Sequence, residues 1–106
     1  MAKYLLQVGY TPEGTKGLLK DGGSKRREAA RAALSSVGGS LESMYYAFGE
    51  HDAILIVDMP DAASAVAASL AINASGAVTV KTTVLITPEE VDAATKKSPT
   101  YTPPGR

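Results

Sequence analysis

Residues 45–60, YYAFGEHDAILIVDMP, place two apolar segments on either side of the short polar break GEHD. The first segment continues a strand-like pattern that starts at Ser40, and the second, residues 53–59, is rich in β-branched side chains. So short a connection between two strands is typical of an antiparallel hairpin. The pattern therefore predicts strands over 40–48 and 53–59, joined by a turn from Gly49 to Asp52.

The second strand of this hairpin is apolar on both of its faces. Ala53, Leu55 and Val57 point to one side, and Ile54 and Ile56 point to the other. A sheet with one solvated face would alternate apolar and polar residues here. We therefore predict that helices cover one face and that a second copy of the chain covers the other, sheet against sheet. The alternative is that the C-terminal segment folds over that face.

The N-terminal part predicts one strand and two helices. Residues 3–10 form the strand, and Thr11 and the proline after it begin a helix. We expect Gly17 and the DGG at 21–23 to interrupt this helix, and Ser24 to cap the next one. The apolar face expected for the second helix consists of Ala30, Ala33, Leu34 and Val37.

The C-terminal part predicts a helix, a strand and a last short helix. Residues 60–61 start the first helix, whose predicted buried stripe is Ala63, Val66, Ala67, Leu70 and Ala74. Residues 78–86 alternate as a strand, and Thr87 with Glu90 has the order of a capping box. The order β-α-β-β-α-β predicts a ferredoxin-like α+β fold with an antiparallel sheet and one extra C-terminal helix.

We expect one domain over residues 1–98 and an extended, proline-rich tail over residues 99–106. Tyr101 gives the tail an apolar anchor, so the tail should run along its own subunit or along a neighbouring one.

Bulk composition narrows the classes of function. Eleven basic and eleven acidic residues cancel, which argues against a nucleic-acid partner, and no apolar run approaches the length of a membrane helix. The N-terminal apolar run is too short for a signal peptide. The absence of cysteine and the single histidine, His51, argue against disulfides and a metal site. We predict a cytoplasmic protein without a cofactor.

Charge on the second sheet face gives the first candidate site. In strand 78–86 the alternation places Lys81 on that face, and in the first strand it places Gln7 there. A lysine directed into a dimer interior needs an anion, a hydrogen-bond network or a wet cavity. Tyr45 and Tyr46 point to opposite faces, so one of them is a possible ligand contact. The alternative for Lys81 is a structural salt bridge, for example with Glu42.

A second candidate is the glycine-led start of the basic helix. Gly22, Gly23 and Ser24 precede Lys25 and Arg26, and free amides at a helix start attract carboxylates or phosphates. The alternative is a helix with a solvated basic face and a glycine kink.

The turn itself is a weak catalytic candidate. His51 beside Asp52 could perform acid-base work on a substrate lying over the turn. Glycine and aspartate also serve the backbone geometry of turns, and neighbouring side chains need not meet. We interpret these residues mainly as a hairpin turn.

Three separate segments, YTPEGTKGLLKDGGSKRREA, GGSLESMYYAFGEHDAILIVDMPD and TVKTTVLITPEE, resemble the GYD-domain family. The resemblance implies a dimeric α/β barrel, in which ferredoxin-like units pair through their sheets, and it brings no established activity with it. The Gly-Tyr-Asp signature of the family falls near residues 49–52. Gly49 and Asp52 match that signature, and His51 stands in the place of the tyrosine.

Three functions compete at this point. The first is a small homo-oligomeric barrel that binds a small anionic molecule. The second is a cofactor-free oxygenase or isomerase that uses His51 and a strand tyrosine. The third is a pure assembly module whose interior is filled.

Overall fold

The computed structural model describes residues 2–106 and shows an α+β domain with one four-stranded antiparallel sheet. The strands stand side by side in the order β2-β3-β1-β4, so β2 and β4 are the edges. This confirms the predicted ferredoxin-like arrangement. The elements, in chain order, are β1 Ala2–Tyr10, α1 Pro12–Asp21, α2 Gly23–Ser35, β2 Ser40–Tyr46, β3 Ala53–Met59, α3 Ala62–Ala74, β4 Val78–Leu85 and α4 Pro88–Thr95.

The core lies between the sheet and helices α1 to α3. Alternate residues of β1 and β3 are buried against the helices, and the residues between them are half-buried on the opposite face. Period-two alternation therefore divides the sheet as predicted. The buried apolar residues are Tyr4, Leu6, Val8, Leu34, Leu41, Ala53, Leu55, Val57, Met59, Ala65 and Val80.

The loop between β2 and β3 is longer than predicted. Strand β2 ends at Tyr46, so residues 47–52 form the loop instead of residues 49–52 alone. The Ala47 amide donates to the Asp52 carbonyl at 3.0 Å and closes the loop. Phe48 adopts the left-handed conformation (φ 53°), which is uncommon for a residue with a side chain. Its ring stacks on Tyr46 with 5.9 Å between the centroids, and this contact accompanies the strained backbone.

The break between the first two helices occurs at one glycine, not two. Helix α1 passes through Gly17 without interruption, so the predicted interruption there is wrong. Gly22 has a left-handed φ of 81°, and its amide donates to the Leu18 carbonyl at 2.8 Å, which ends α1. Gly22 is also the N-cap of α2. The predicted cap at Ser24 is wrong because Ser24 already lies inside the first turn of α2.

Helix α3 packs on the sheet through a different face from the predicted one. Val66 and Leu70 of the predicted stripe are 53% and 66% exposed, whereas Ala65 is buried. Polar contacts accompany this orientation. The Ser69 and Thr82 hydroxyls hydrogen-bond each other, and the Asn73 amide group pairs with the backbone of Val80. An alanine-rich helix that is apolar on all sides offers no periodicity from which to choose its buried face.

The C-terminal segment leaves the body of the domain. Thr87 and Glu90 form the predicted capping box at the start of α4. Every residue from 88 to 102 is exposed, including Tyr101 at 73%. The alternative that this segment covers the second sheet face is therefore wrong for a single chain. Packing of the tail against a neighbouring subunit stays a prediction.

Within residues 2–106, no helix combines the length and the apolar character that crossing a lipid bilayer requires.

Candidate functional site

The face of the sheet opposite α1 to α3, hereafter the open face, is not covered by a helix in the described chain. Its side chains come from alternate positions of all four strands, and none of them is buried in the described chain. The apolar members Leu5, Ile54 and Ile56 are only half-buried. The sequence predicted this face correctly from the apolar pattern of β3.

Strand register brings the predicted ligand residues into one line. Tyr45 pairs with Ile54, Ile54 pairs with Gln7, and Gln7 pairs with Lys81. Directly opposed residues in antiparallel strands have their Cβ atoms about 5 Å apart and on the same face. These four residues, hereafter the central row, therefore cross the open face from one sheet edge to the other. The central row has a phenol at one end, an ammonium group at the other and an amide beside it.

Lys3, and not Lys81, is the neutralised lysine of the open face. Lys3 contacts the Asp58 carboxylate at 2.9 Å and also binds Glu42. The hydrogen bonds that Lys3 donates, first to Glu42 and then to Asp58, raise the pKa of Lys3 above its ordinary value. Glu42 is engaged by Lys3, and the alternative Lys81–Glu42 salt bridge does not form within a single chain. Among residues 2–106, Lys81 forms no ion pair.

The two neighbouring tyrosines face opposite sides, as predicted. Tyr45 is 72% exposed on the open face. Tyr46 is half-buried on the helix side, where its hydroxyl donates to the Gly23 carbonyl at 3.1 Å. Tyr45 is therefore the tyrosine that accompanies Lys81 and Gln7, and Tyr46 belongs to the packing of α2.

The basic residues at the glycine-led start of α2 already have one acidic neighbour. Lys25 lies 3.7 Å from the Asp21 carboxylate, and Arg26 lies 3.8 Å from the same group. Both distances are long for charge-assisted hydrogen bonds. Among residues 22–24, the hydroxyl of Ser24 is the only polar side-chain group at this turn. The cluster is thus a partly neutralised basic surface.

The side chains of His51 and Asp52 do not hydrogen-bond each other. The Asp52 carboxylate accepts a hydrogen bond from the Tyr10 amide at 2.7 Å, and the Asp52 amide donates to the Val8 carbonyl at 2.9 Å. These bonds fasten the loop to the end of β1. The His51 side chain makes no hydrogen bond to any residue in the described range. Asp52 therefore has the structural role that the turn interpretation predicts.

Residues 2–106 contain no group of three or more histidine, cysteine, aspartate or glutamate side chains arranged to hold a metal ion.

A cavity between α2, α3 and the sheet was not predicted from the sequence. This helix-side cavity has a volume of about 120 Å³, with Leu6, Val8 and Leu55 of the sheet among its lining residues. Arg26 and Tyr10 provide its polar side chains. The sequence signal was the run of small residues AARAA at 29–33, since alanines on a helix that packs on a sheet leave space at the interface.

An antiparallel sheet in this strand order, with helices on one face, defines a ferredoxin-like α+β domain. The GYD domain family matches residues 4–95 of the 106-residue chain, and the chain therefore belongs to this family. No curated protein and no solved structure matches it. The resemblance noted from the three sequence segments is confirmed. Asp52 of the matching signature is the residue that fastens the hairpin loop to β1.

Proposed function

We propose that this GYD-domain protein is a homodimer that binds a small anion between two open faces, with Lys81 as the charged contact. The observation that carries this proposal is the central row, which aligns the ammonium group of Lys81 with Gln7, Ile54 and Tyr45 across an uncovered face. Two such faces related by a two-fold axis would enclose a space with apolar walls and a few polar groups. Small-molecule sites have this composition.

The anionic character of the ligand follows from the charge of Lys81. A second subunit over the open face would remove water from Lys81, and a buried charge without a partner is costly. Both acidic side chains near the other end of this face, Glu42 and Asp58, are engaged by Lys3. A bound carboxylate or phosphate would supply the missing negative charge. The Gln7 amide can donate a hydrogen bond to the same group.

The competing functions have less support. An enzyme that uses His51 would need a base or an orienting partner for the imidazole, and the neighbouring Asp52 is bonded to the Tyr10 amide instead. A pure assembly module would fill the interface with side chains alone. That outcome would leave Lys81 buried without a counter-charge unless the lysine reaches solvent at the edge of the sheet.

Replacing Lys81 with Met tests the proposal, because methionine keeps most of the apolar stem and removes the charge. Titration calorimetry with acetate, succinate and phosphate should show binding of at least one anion to the unmodified protein. The Lys81→Met variant should bind that anion roughly 10- to 150-fold more weakly, the loss expected for one charge-assisted hydrogen bond.

Lys25→Met is the matched control, because it removes the same charge at a different place. The Lys25 side chain lies at the start of α2 and is 75% exposed. This variant should leave the affinity unchanged. If Lys25→Met weakens binding and Lys81→Met does not, the anion binds at the glycine-led helix start. If none of the three anions binds to the unmodified protein, the assembly module replaces the binding function.

A further inference from the structure

The helix-side cavity lies on the opposite side of the sheet from the central row. Its sheet wall is formed by apolar side chains of the strands, and α3 contributes Ile72. The wall from α2 consists of the small residues Ala29, Ala30 and Ala33. Ala29 and Ala33 are exposed, so the cavity is open to solvent along α2.

The size of this cavity selects a compact apolar group. Its volume is about 120 Å³, and an apolar protein cavity of about 150 Å³ is known to take up benzene. An aromatic ring or a short branched chain fits this space, whereas a nucleotide or a sugar phosphate is too large. A water molecule in this cavity would form few hydrogen bonds, because the walls are mainly apolar.

One charged group and one phenol mark the polar end of the cavity. Arg26 is among the lining residues, and the only acidic contact of its guanidinium in the described chain is Asp21 at 3.8 Å, which also contacts Lys25. Tyr10 lines the same cavity. Burial raises the pKa of Tyr10 to about 12, and neighbouring Tyr46 adds to the increase. The Tyr10 hydroxyl is therefore neutral at physiological pH and is able to donate a hydrogen bond.

We infer that the helix-side cavity is a second binding site, for a small carboxylic acid with a compact apolar body. The apolar body occupies the space between the α2 alanines and Ile72, and the carboxylate pairs with Arg26. A guanidinium presents parallel N–H donors that match the two oxygens of a carboxylate. The charge of Arg26 thus complements the carboxylate of the ligand, while the apolar walls disfavour ions that have no apolar part.

Benzoate and benzyl alcohol are the probes that test this site, because they share a ring and differ in charge. In ¹H–¹⁵N spectra of the full chain, benzoate should shift the amide signals of Ala29, Ala30 and Ile72. Arg26→Met should weaken benzoate binding roughly 10- to 150-fold and leave benzyl alcohol binding unchanged. Ala33→Leu, at an exposed position on the cavity lining, should fill the cavity and weaken the binding of both probes.

Arg27→Met is the matched control because Arg27 is the next residue on α2 and lies near Tyr45 at the β2 edge instead of at the cavity. It should leave benzoate binding unchanged, and so should Lys81→Met on the opposite sheet face. Equal losses in Arg26→Met and Arg27→Met would overturn the inference, since they would indicate nonspecific attraction to a basic helix. Absence of benzoate shifts at the cavity residues of the unmodified protein would overturn it as well.

Discussion

Gly14→Ala should destabilise the domain by about 2–4 kcal/mol, a large effect for the addition of one methyl group. A Cβ atom built on Gly14 lies 1.9 Å from the carbonyl oxygen of Ala77 and 2.8 Å from its carbonyl carbon. These backbone atoms have little freedom to move. The Ala77 oxygen accepts hydrogen bonds from the Thr11 amide at 3.0 Å and from the Thr11 hydroxyl at 2.9 Å. The variant must separate α1 from the start of β4 or lose both bonds.

Gly17→Ala is the control for this prediction, because it makes the same chemical change one turn further along α1. A Cβ atom on Gly17 has no neighbour within 4 Å. Alanine is favoured over glycine in a helix interior by about 0.5–1 kcal/mol, so this variant should be more stable by roughly that amount. Urea denaturation at one fixed protein concentration measures both changes. Similar effects of the two substitutions would show that α1 does not approach β4 closely at Gly14.

The strands were predictable from the sequence because one face of each strand packs against the helices. This burial makes apolar residues recur at every second position. In β3 the alternation of Val57 with Ile56 identifies two faces, and both assignments agree with the structure. The capping box of Thr87 and Glu90 was predictable for a similar reason, since only the helix start places these two groups within reach of each other's amides.

Other features depend on contacts between elements that are distant in the chain. The buried face of α3 is accompanied by hydrogen bonds from Ser69 and Asn73 to β4, which no local pattern of alanines reveals. The role of Gly22 as the helix break, rather than Gly17, depends on a left-handed backbone at only one of the two positions. Composition marks both glycines equally, so the sequence alone predicted two interruptions.

The candidate site was predictable in part. Alternation placed Lys81 and Gln7 on the open face, but only the strand register shows that they are direct neighbours and that Tyr45 lies in the same row. The helix-side cavity escaped prediction entirely, because its volume depends on the distance between α2 and α3 above the sheet. Small residues such as Ala30 permit a cavity at that place without requiring one.

Ile56→Asp should convert the proposed dimer into a monomer. Ile56 lies in the middle of the open face, paired with Leu5 on one side and Ser43 on the other. It is half-buried in a single chain and does not belong to the helix-side core, so the protomer should remain folded. In a two-fold dimer each subunit would bring a carboxylate to the same interface. Taking each of these charges out of water without a partner costs several kcal/mol, enough to prevent association at micromolar concentration.

Light scattering checks this prediction against the protomer mass of 10.9 kDa. The unmodified protein should have twice that mass and Ile56→Asp should have the protomer mass, with far-ultraviolet circular dichroism confirming that both are folded. Leu70→Asp is the control, since Leu70 is 66% exposed on the outer side of α3. It adds the same charge away from the open face and should remain dimeric. Dissociation by Leu70→Asp alone would place the interface on α3. A mass of one protomer for the unmodified protein would contradict the proposed dimer. It would also contradict the argument for an anion beside Lys81, because the open face of a monomer leaves that lysine in contact with water.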